Sequence, residues 1–311
     1  MKVLVTCPPM LGLFHEFEDK FVEVGLQGVA ADVTQVMTEN ELMEALPGFD
    51  GWIIGDDPAT RQVFQVAKNS KLKAAVKWGV GVDNVDFEAC KDLDIPIENT
   101  PGVFGREVAD VALTYTLGLA RETYSIDRAI RQDFAWPKPS GVSLWNKKAA
   151  VVGFGDIGQS TVKRLLAFDL EVFVYDPYFK PIHNLDVKNY TWPNKIGTAD
   201  FLIFTCPLTD KTKHMFNWEI LPHLKKDIRI VNVSRGPVID ESALVAGLSS
   251  GQIHSAALDV FETEPLVENS PLRQFDRCIF GSHNGSNSVD AVRHVSHLAI
   301  DKIANFLGSS K

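Results

Sequence analysis

The sequence has few cysteines, no long apolar segment and no excess of positive charge, and each absence excludes a class of function. Its four cysteines (Cys7, Cys90, Cys206 and Cys278) form no Cys-x-x-Cys pair, which argues against a disulfide framework and favours reduced thiols. A formal net charge of −9 argues against broad binding to nucleic acids or to anionic membranes.

Segments that direct a protein to a membrane are also missing. The apolar part of residues 1–9 is too short for a signal peptide and instead predicts a first strand that prolines end. The longest helical apolar stretch, Val108 to Ala120, contains Asp110 and falls short of the roughly 20 residues that a membrane span needs. We therefore expect a cytoplasmic protein that binds neither membranes nor nucleic acid.

Signatures of several enzyme classes are absent as well. The sequence contains no His-Glu-x-x-His zinc motif, no Gly-x-Ser-x-Gly nucleophile turn and no P-loop lysine. These absences predict that the chain has no metal site, and they argue against a serine hydrolase or a P-loop protein.

Short apolar runs alternate with helical patterns along the 311 residues, which is typical of a doubly wound α/β architecture with roughly two domains. Several predicted strands are apolar at every position, as expected for a parallel sheet that is buried on both faces. The predicted strands are Lys2–Thr6, Trp52–Gly55, Ala74–Lys77, Ala149–Gly153, Val172–Tyr175, Phe201–Thr205, Ile228–Val233, Ala256–Leu258 and Cys278–Phe280. The predicted helices are Thr60–Lys68, Glu107–Gln132, Ile157–Phe168, Glu241–Ser249 and Val289–Phe306.

A glycine motif follows the strand at residue 149 and indicates a dinucleotide site. Gly153 permits a tight turn, Gly155 lets the backbone approach a pyrophosphate, and Gly158 lets the helix pack on the strand. The helix start then offers N–H groups and a positive dipole end to the phosphates. Asp176 closes the next strand, where a carboxylate accepts hydrogen bonds from both ribose hydroxyls and repels a 2′-phosphate, so NAD is favoured over NADP. The alternative is a helix-capping loop in another α/β fold.

Polar residues follow three further predicted strands, at the edge where ligands bind in open α/β sheets. Arg235 follows the strand at 228, Asp259 and Glu264 follow the strand at 256, and His283 follows the strand at 278. Because the carboxyl ends of parallel strands share one edge, we expect these four side chains to converge on the cofactor.

The residue types fit hydride transfer between a nicotinamide and an alcohol carbon, which requires a proton to move on or off the oxygen. His283 is the candidate general acid/base, and Glu264 is the candidate carboxylate that orients its ring and favours the protonated form. Arg235 is a candidate for a forked contact with a substrate carboxylate. Asp259 is a candidate to hold the nicotinamide amide or to offset the positive ring.

Each of these residues also has a purely structural interpretation. Arg235 can form a surface ion pair, Glu264 can begin a turn before Pro265, and His283 can cap a loop. Asp259 can cap a helix or form a turn. The residues alone leave these alternatives open.

Taken together and in order, the motifs of residues 77–283 resemble the D-isomer-specific 2-hydroxyacid dehydrogenase family, which includes D-lactate, glyoxylate/hydroxypyruvate and phosphoglycerate dehydrogenases. The matching segments, besides the glycine motif, are Gly79-Val-Gly-Val-Asp-Asn-Val-Asp, Asn99-Thr-Pro-Gly, Val108-Ala-Asp, Cys206-Pro-Leu-Thr with Thr212, Asn232-Val-Ser-Arg-Gly, Ile239-Asp-Glu-Ser-Ala-Leu, Leu258-Asp-Val-Phe-Glu-Thr-Glu-Pro and Ser282-His-Asn-Gly.

The resemblance implies that Arg235, Glu264 and His283 are catalytic and that the backbone of Val80 and Gly81 binds the substrate carboxylate, together with Arg235 and His283. It implies cofactor contacts at Gly153, Gly155, Asp156, Ile157, Gly158, Asp176, Cys206, Pro207, Thr212, Val233, Ser234, Asp259 and Gly285. The implied activity is NAD-dependent interconversion of a small D-2-hydroxy acid and its 2-oxo acid. The alternatives are D-3-phosphoglycerate dehydrogenase and a non-catalytic protein that senses NAD(H).

The resemblance also implies an architecture of two doubly wound, Rossmann-like domains with a cleft between them. The substrate-binding, flavodoxin-like domain comprises residues 1–100 and 285–311, and the NAD-binding domain comprises residues 101–284. Members of the family are usually homodimers formed through the NAD-binding domains, which implies a homodimer for this chain.

Three departures from the family pattern bear on the substrate and the cofactor. Ser282 stands where a proline is common, and Gly105 stands where a threonine is common near the nicotinamide. An Arg-Ser or Arg-Thr pair is common where this chain has Asp56 and Asp57. Two aspartates beside the cleft disfavour a phosphorylated substrate, unless Arg61 or Arg106 compensates their charge.

Overall fold

The computed structural model describes residues 1–309 of the chain. They divide into two compact units. The terminal domain comprises Met1–Phe104 and the chain from Asn287 onward, and the central domain comprises Gly105–Ser286.

The terminal domain is built on a five-stranded parallel sheet with the strand order β2-β1-β3-β4-β5. Every residue of β3 and β4, in the middle of the sheet, is buried, as expected for strands that are covered on both faces. The strands are β1 (Lys2–Val5), β2 (Gln27–Ala30), β3 (Gly51–Ile54), β4 (Ala74–Lys77) and β5 (Ile97–Asn99), and the first helices are α1 (Pro8–Gly12), α2 (Glu18–Glu23), α3 (Glu39–Ala45), α4 (Arg61–Ser70) and α5 (Phe87–Asp92).

The central domain is built on a seven-stranded parallel sheet with the strand order β12-β11-β10-β9-β6-β7-β8. The chain starts in the middle at β6 and moves outward in both directions, so the order reverses between β6 and β9. Ligands of open α/β sheets bind at such a reversal. The strands are β6 (Lys148–Val152), β7 (Glu171–Tyr175), β8 (Lys188–Asn189), β9 (Phe201–Phe204), β10 (Ile228–Asn232), β11 (Ile253–Leu258) and β12 (Ile279–Phe280), and the helices are α6 (Gly105–Arg121), α7 (Thr123–Gln132), α8 (Asp156–Ala167) and α9 (Glu241–Ser250).

The last helix, α10 (Val289–Phe306), returns to the domain in which the chain begins. Ser288 caps its N-terminus, where the Ser288 hydroxyl accepts the N–H of Ala291 at 3.1 Å. The indole N–H of Trp78 donates to the hydroxyl of Ser296 at 3.1 Å, so α10 is fixed beside the end of β4. The predicted bounds of this helix are correct.

The prediction of two doubly wound parallel-sheet domains is confirmed. The prediction of a single helix over Glu107–Gln132 is wrong, because Glu122 adopts a left-handed backbone conformation with φ 53 and separates α6 from α7. No helix among residues 1–309 combines the length and the apolar character needed to cross a membrane.

Candidate active site

The glycine turn after β6 is tightly packed against its neighbours. Gly153 has φ 94, and a Cβ at this position would lie 2.8 Å from the backbone of Cys206. A Cβ on Gly158 would collide with the carbonyl of Gly153. Both positions therefore need glycine, because only glycine fits the backbone conformation or the close approach between turn and helix.

The same turn leaves open space at the start of α8. Nothing lies within 4 Å of the position that a Cβ on Gly155 would take, and no side chain caps the helix there. Asp156 and Ile157 form the first turn, whose N–H groups and dipole favour a bound anion. The open cradle at Gly155 fits the pyrophosphate of a dinucleotide.

Asp176 lies directly after β7 and faces the glycine turn. Its Oδ2 accepts the N–H of Phe154 at 2.6 Å, and its Oδ1 accepts the N–H of Tyr178 at 2.7 Å. Each carboxylate oxygen retains a second lone pair for a hydroxyl donor. These bonds fix the carboxylate in the position that the glycine motif predicts for a ribose contact.

The loop after β9 contains the predicted contacts Cys206, Pro207 and Thr212. The hydroxyl of Thr212 donates to the carbonyl of Pro207 at 2.7 Å and accepts the N–H of Thr209 at 2.8 Å, which closes the loop on itself. Burial raises the pKa of Cys206 to about 12, so its thiol is neutral and acts as a small apolar group beside Gly153.

Arg235 follows β10 in a turn that is held by Asn232. The side chain of Asn232 donates to the carbonyl of Arg235 at 3.0 Å and accepts the N–H of Ser234 at 3.0 Å. The Nη1 atom of Arg235 donates to the carbonyl of Ser234 at 2.9 Å, which directs the guanidinium group. The other predicted contacts in this turn are Val233 and Ser234, each 6% exposed.

The turn at Arg235 lies against the segment that carries Glu264. A Cβ on Gly236 would collide with the carbonyl group of Phe261, so glycine allows the two backbones to touch. The N–H of Phe261 in turn donates to Oε1 of Glu264 at 2.9 Å. The ends of β10 and β11 are thus connected through backbone packing and a hydrogen bond.

His283 pairs directly with Glu264. The Nδ1 atom of His283 lies 2.7 Å from Oε2 of Glu264, and the two side chains are 25% and 26% exposed. His283 has φ 56, a left-handed conformation that is uncommon for residues other than glycine. A partly exposed imidazole with one nitrogen on a carboxylate can exchange a proton through its other nitrogen.

Asp259 holds the His283 turn in place. Its backbone carbonyl accepts the N–H of His283 at 2.7 Å, and its Oδ2 accepts the N–H of Gly285 at 2.8 Å. Its Oδ1 accepts the N–H of Asn284 at 3.3 Å and the hydroxyl of Tyr115 at 3.2 Å. Asp259 is only 4% exposed, and its contacts fit the structural interpretation of a turn former.

Sequence reasoning missed Tyr115. It lies on α6, 144 positions before Asp259, and no motif links the two residues. Burial, followed by the neighbouring carboxylate of Asp259, raises the pKa of Tyr115 and keeps its hydroxyl a donor. A Cβ on Gly281 would collide with both of these side chains, so glycine at that position leaves room for their hydrogen bond.

The structure places Arg235, Glu264 and His283 at one edge of the central sheet. They follow β10, β11 and β12, which are neighbouring parallel strands. Among the described residues, no group of three or more histidine, cysteine or acidic side chains is arranged to hold a metal ion.

In the terminal domain, Val80 and Gly81 follow β4 in a turn with several supports. Gly79 has φ 126, and its N–H donates to the hydroxyl of Thr100 at 2.8 Å. The side-chain amide of Asn99 donates to the carbonyl of Val80 at 3.0 Å. The turn lies at the carboxyl edge of the terminal sheet, where β4 and β5 end together.

Asp57 is not positioned to meet a ligand, contrary to the expectation. It is 0% exposed and its carboxylate accepts hydrogen bonds from the hydroxyl of Thr6 and the N–H groups of Met37 and Gly55. Burial raises the pKa of Asp57 in spite of these bonds. Its role is to connect the end of β3 with β1.

Arg61 does not compensate the aspartates after β3. Its guanidinium group lies 2.8 Å from Asp92 and 3.9 Å from Asp86, both of which belong to the segment around α5. One of the two arginines that were considered as compensating cations is therefore engaged elsewhere.

Gly105 is explained by Asp156. A Cβ on Gly105 would meet the carboxylate of Asp156, so the absence of a side chain on α6 makes room for an acidic residue at the start of α8. Within the central domain, Asp156 can take its position only because residue 105 is a glycine.

Most of the central domain matches a known protein family. Residues 113–285 match the NAD-binding domain of the D-isomer-specific 2-hydroxyacid dehydrogenases. The matched region contains the glycine motif as well as Arg235, Glu264 and His283.

Two curated relatives are similar along most of this chain. Hydroxypyruvate reductase of Thermotoga maritima is 33% identical over 277 residues, which cover 88% of this chain and 89% of that protein. D-3-phosphoglycerate dehydrogenase of Methanocaldococcus jannaschii is 34% identical over an alignment of 314 positions, which covers 99% of this chain. The chain spans only 57% of the length of that second relative.

Solved structures have the same fold. The TT0316 protein of Thermus thermophilus has a TM-score of 0.87 and 28% identity, with 100% of this chain and 98% of that chain covered. D-lactate dehydrogenase of Escherichia coli has a TM-score of 0.83 and 25% identity, with the same coverage of both chains.

Proposed function

The chain belongs to the family of D-isomer-specific 2-hydroxyacid dehydrogenases, which makes it an NAD-dependent oxidoreductase of 2-hydroxy acids, and we propose that Arg235, Glu264 and His283 perform its catalysis. The observation that carries the proposal is the 2.7 Å pairing of His283 with Glu264 in the domain that binds the dinucleotide. The substrate is a small D-2-hydroxy acid or the corresponding 2-oxo acid.

When bound, the nicotinamide cofactor would supply or accept the hydride at the substrate carbon. His283 handles the accompanying proton. Because its Nδ1 faces a carboxylate oxygen of Glu264, that nitrogen carries a hydrogen, and Nε2 is the atom that exchanges a proton with the substrate oxygen. Glu264 fixes the ring and stabilises the protonated form that reduction requires.

Arg235 anchors the substrate. A guanidinium group binds a carboxylate through two parallel hydrogen bonds and polarises an adjacent carbonyl by its charge. The bond from Nη1 to the carbonyl of Ser234 limits the rotation of the group, so less conformational entropy is lost when the substrate binds. The backbone of Val80 and Gly81 contributes the second carboxylate contact, from a turn that Asn99 and Thr100 hold in shape.

Residues at the carboxyl edge of the central sheet would hold the cofactor in this proposal. The residues from Gly153 to Gly158 would hold the pyrophosphate, and Asp176 would accept hydrogen bonds from the ribose hydroxyls. The other contacts would come from Cys206, Pro207, Thr212, Val233, Ser234, Asp259 and Gly285. Asp259 also supports the turn that contains His283, because its carboxylate accepts hydrogen bonds from Tyr115, Asn284 and Gly285.

The protein functions as a cytoplasmic homodimer in our proposal. Phe134 and Trp136 follow α7 in an irregular loop of the central domain and are 92% and 77% exposed. Large exposed aromatic side chains are typical of surfaces that another protein covers.

The four cysteines are unpaired and buried, which suits a reducing compartment.

Sedimentation measurements test the dimer. The double variant Phe134→Ser, Trp136→Ser should sediment as a monomer. The control variant Val22→Ser, which removes an exposed apolar side chain from the terminal domain, should still sediment as a dimer. A wild-type monomer at micromolar concentration contradicts the proposal.

A panel of 2-oxo acids with NADH tests the activity, with cofactor oxidation as the readout. We expect saturable oxidation with glyoxylate, hydroxypyruvate or pyruvate. Tight NADH binding without turnover of any 2-oxo acid indicates a sensor protein. Preference for 3-phosphohydroxypyruvate indicates a phosphoglycerate dehydrogenase.

A further inference from the structure

The terminal domain contains a buried lysine at the carboxyl edge of its sheet. Lys77 is the last residue of β4, and its side chain is 2% exposed. Its ammonium group donates to the carbonyl of Gly55 at 2.5 Å and to Oδ1 of Asp56 at 3.0 Å. A buried charge is costly unless it is paired and hydrogen-bonded, so both partners stabilise this ammonium group.

The Asp56–Lys77 pair lies beside the turn that contains Val80 and Gly81. Strands β3 and β4 are neighbours with Ile54 opposite Lys77, so the segment of Asp56 leaves the sheet where Lys77 ends β4. The ammonium group of Lys77 lies 3.9 Å from the position that a Cβ on Gly79 would take. The lysine therefore lies next to the residue that begins this turn.

The two members of the pair differ in their exposure to solvent. The side chain of Asp56 is 49% exposed, whereas that of Lys77 is almost fully covered. A molecule that approaches the turn thus meets the carboxylate of Asp56 more directly than the ammonium group. Asp57 contributes no such charge at the surface, because its carboxylate is buried among hydrogen-bond donors.

We propose that the Asp56–Lys77 pair selects substrates by charge, favouring 2-oxo acids whose distal group is neutral over those with a second carboxylate or a phosphate. This inference rests on the proposed function, in which the Val80–Gly81 turn holds the first carboxylate. The carboxylate of Asp56 is the exposed member of the pair and repels a second anion that approaches it, since like charges at close range oppose binding. Without Asp56, the ammonium group of Lys77 becomes an uncompensated cation that attracts a second anionic group of the substrate.

Replacing Asp56 tests the proposal. We compare Asp56→Asn and Asp56→Ser with wild type by measuring kcat/KM for pyruvate and glyoxylate, and for oxaloacetate and 3-phosphohydroxypyruvate. Wild type should prefer the substrates with one negative charge. Both variants should raise the ratio of kcat/KM for the substrates with a second anionic group to kcat/KM for those with one carboxylate about tenfold or more, as expected for loss of a like charge.

Glu44→Gln is the matched control, because it makes the same change in net charge at an exposed position of α3 in the same domain. Its ratio should equal that of wild type. The double variant Asp56→Asn, Lys77→Met should not show the increased kcat/KM ratio of the Asp56 variants, since it also lacks the uncompensated cation. Asparagine and serine differ in size but both remove the charge, so an effect that both variants share does not result from the packing of one side chain.

Two outcomes overturn the inference in distinguishable ways. An unchanged substrate ratio in both Asp56 variants, with normal turnover of pyruvate or glyoxylate, overturns the charge selection and leaves the proposed function intact. Absence of turnover with every 2-oxo acid in wild type overturns the proposed function, and the inference with it.

Discussion

The imidazole of His283 and the carboxylate of Glu264 lie 2.7 Å apart, although 19 positions separate them in the sequence. The central domain contains a second histidine–glutamate pair, His214 with Glu262, at 2.6 Å. Pairing alone therefore does not identify the acid/base. The His283 pair is distinguished by its place, since it follows β11 and β12 at the edge where Arg235 follows β10.

Replacing His283 with alanine should lower kcat at least about 100-fold, as loss of a general acid/base usually does. Steady-state kinetics with the best 2-oxo acid of the panel provides the measurement, and NADH titration checks that the cofactor still binds. His214→Ala is the control, because it removes the imidazole of the other pair. Near-normal turnover of His283→Ala excludes the proton-transfer role.

Replacing Asp176 with alanine should narrow the preference for NAD over NADP. The variant loses the acceptor for the ribose hydroxyls and the negative charge that repels a 2′-phosphate. The ratio of kcat/KM for NADH to that for NADPH provides the measurement. Asp186→Ala removes an exposed carboxylate from the same domain and should leave the ratio unchanged. An unchanged ratio in Asp176→Ala contradicts the ribose contact.

The middle of each sheet was predictable, whereas several edges were not. The predicted strand Ala74–Lys77 is correct, because Ala74, Ala75 and Val76 form a short apolar run shortly before a glycine turn. The strands β2, β5 and β8 were missed, and all three lie at sheet edges. They are partly or fully exposed and contain polar residues, so they lack the hydrophobic pattern by which buried strands are recognised.

The break between α6 and α7 was also unpredictable from local residue types. Neither glycine nor proline stands at Glu122, which has the left-handed conformation. Its side chain lies between His254 and Arg277, at 3.8 and 4.0 Å, so residues distant in sequence surround it. Local propensity gives no signal for such tertiary contacts.

The residues of the candidate site that belong to sequence motifs were predictable. The residues that support them from distant parts of the sequence were not. The glycine turn, Asp176 and the strand-end positions of Arg235 and His283 follow from local spacing. The support that Tyr115 gives to Asp259 joins two distant segments and has no local signature. The burial of Asp57 and the pairing of Arg61 with Asp92 likewise depend on the packed domain.

Replacing Tyr115 with phenylalanine should weaken the support of the His283 turn. The variant removes a donor to the buried carboxylate of Asp259, and such bonds to charged groups contribute roughly 1.5–3 kcal/mol. We expect lower stability in urea unfolding and a reduced kcat with an unchanged dissociation constant for NADH.

Tyr175→Phe is the control for this prediction. It removes a hydroxyl that donates at 2.7 Å to the neutral carbonyl of Asn194, elsewhere in the central domain. It should lower stability by about 1 kcal/mol without a change in kcat. Equal kcat values for Tyr115→Phe and wild type count against a supporting role of Tyr115 in catalysis.

Replacing Asp50 with asparagine should change the acid stability of the terminal domain. Burial alone would raise the pKa of Asp50, but the N–H of Lys2 and the ammonium groups of Lys71 and Lys73 lower it to about 2. The stabilisation is therefore fully present above the pKa of an unfolded aspartate, about 4, and is lost as the pH falls toward 2. At pH 7 the variant should lose roughly 2 kcal/mol of unfolding free energy, and its difference from wild type should shrink below pH 4. Asp92→Asn, which breaks an exposed ion pair, should cost less than about 1 kcal/mol, and a pH-independent loss in Asp50→Asn contradicts the linkage.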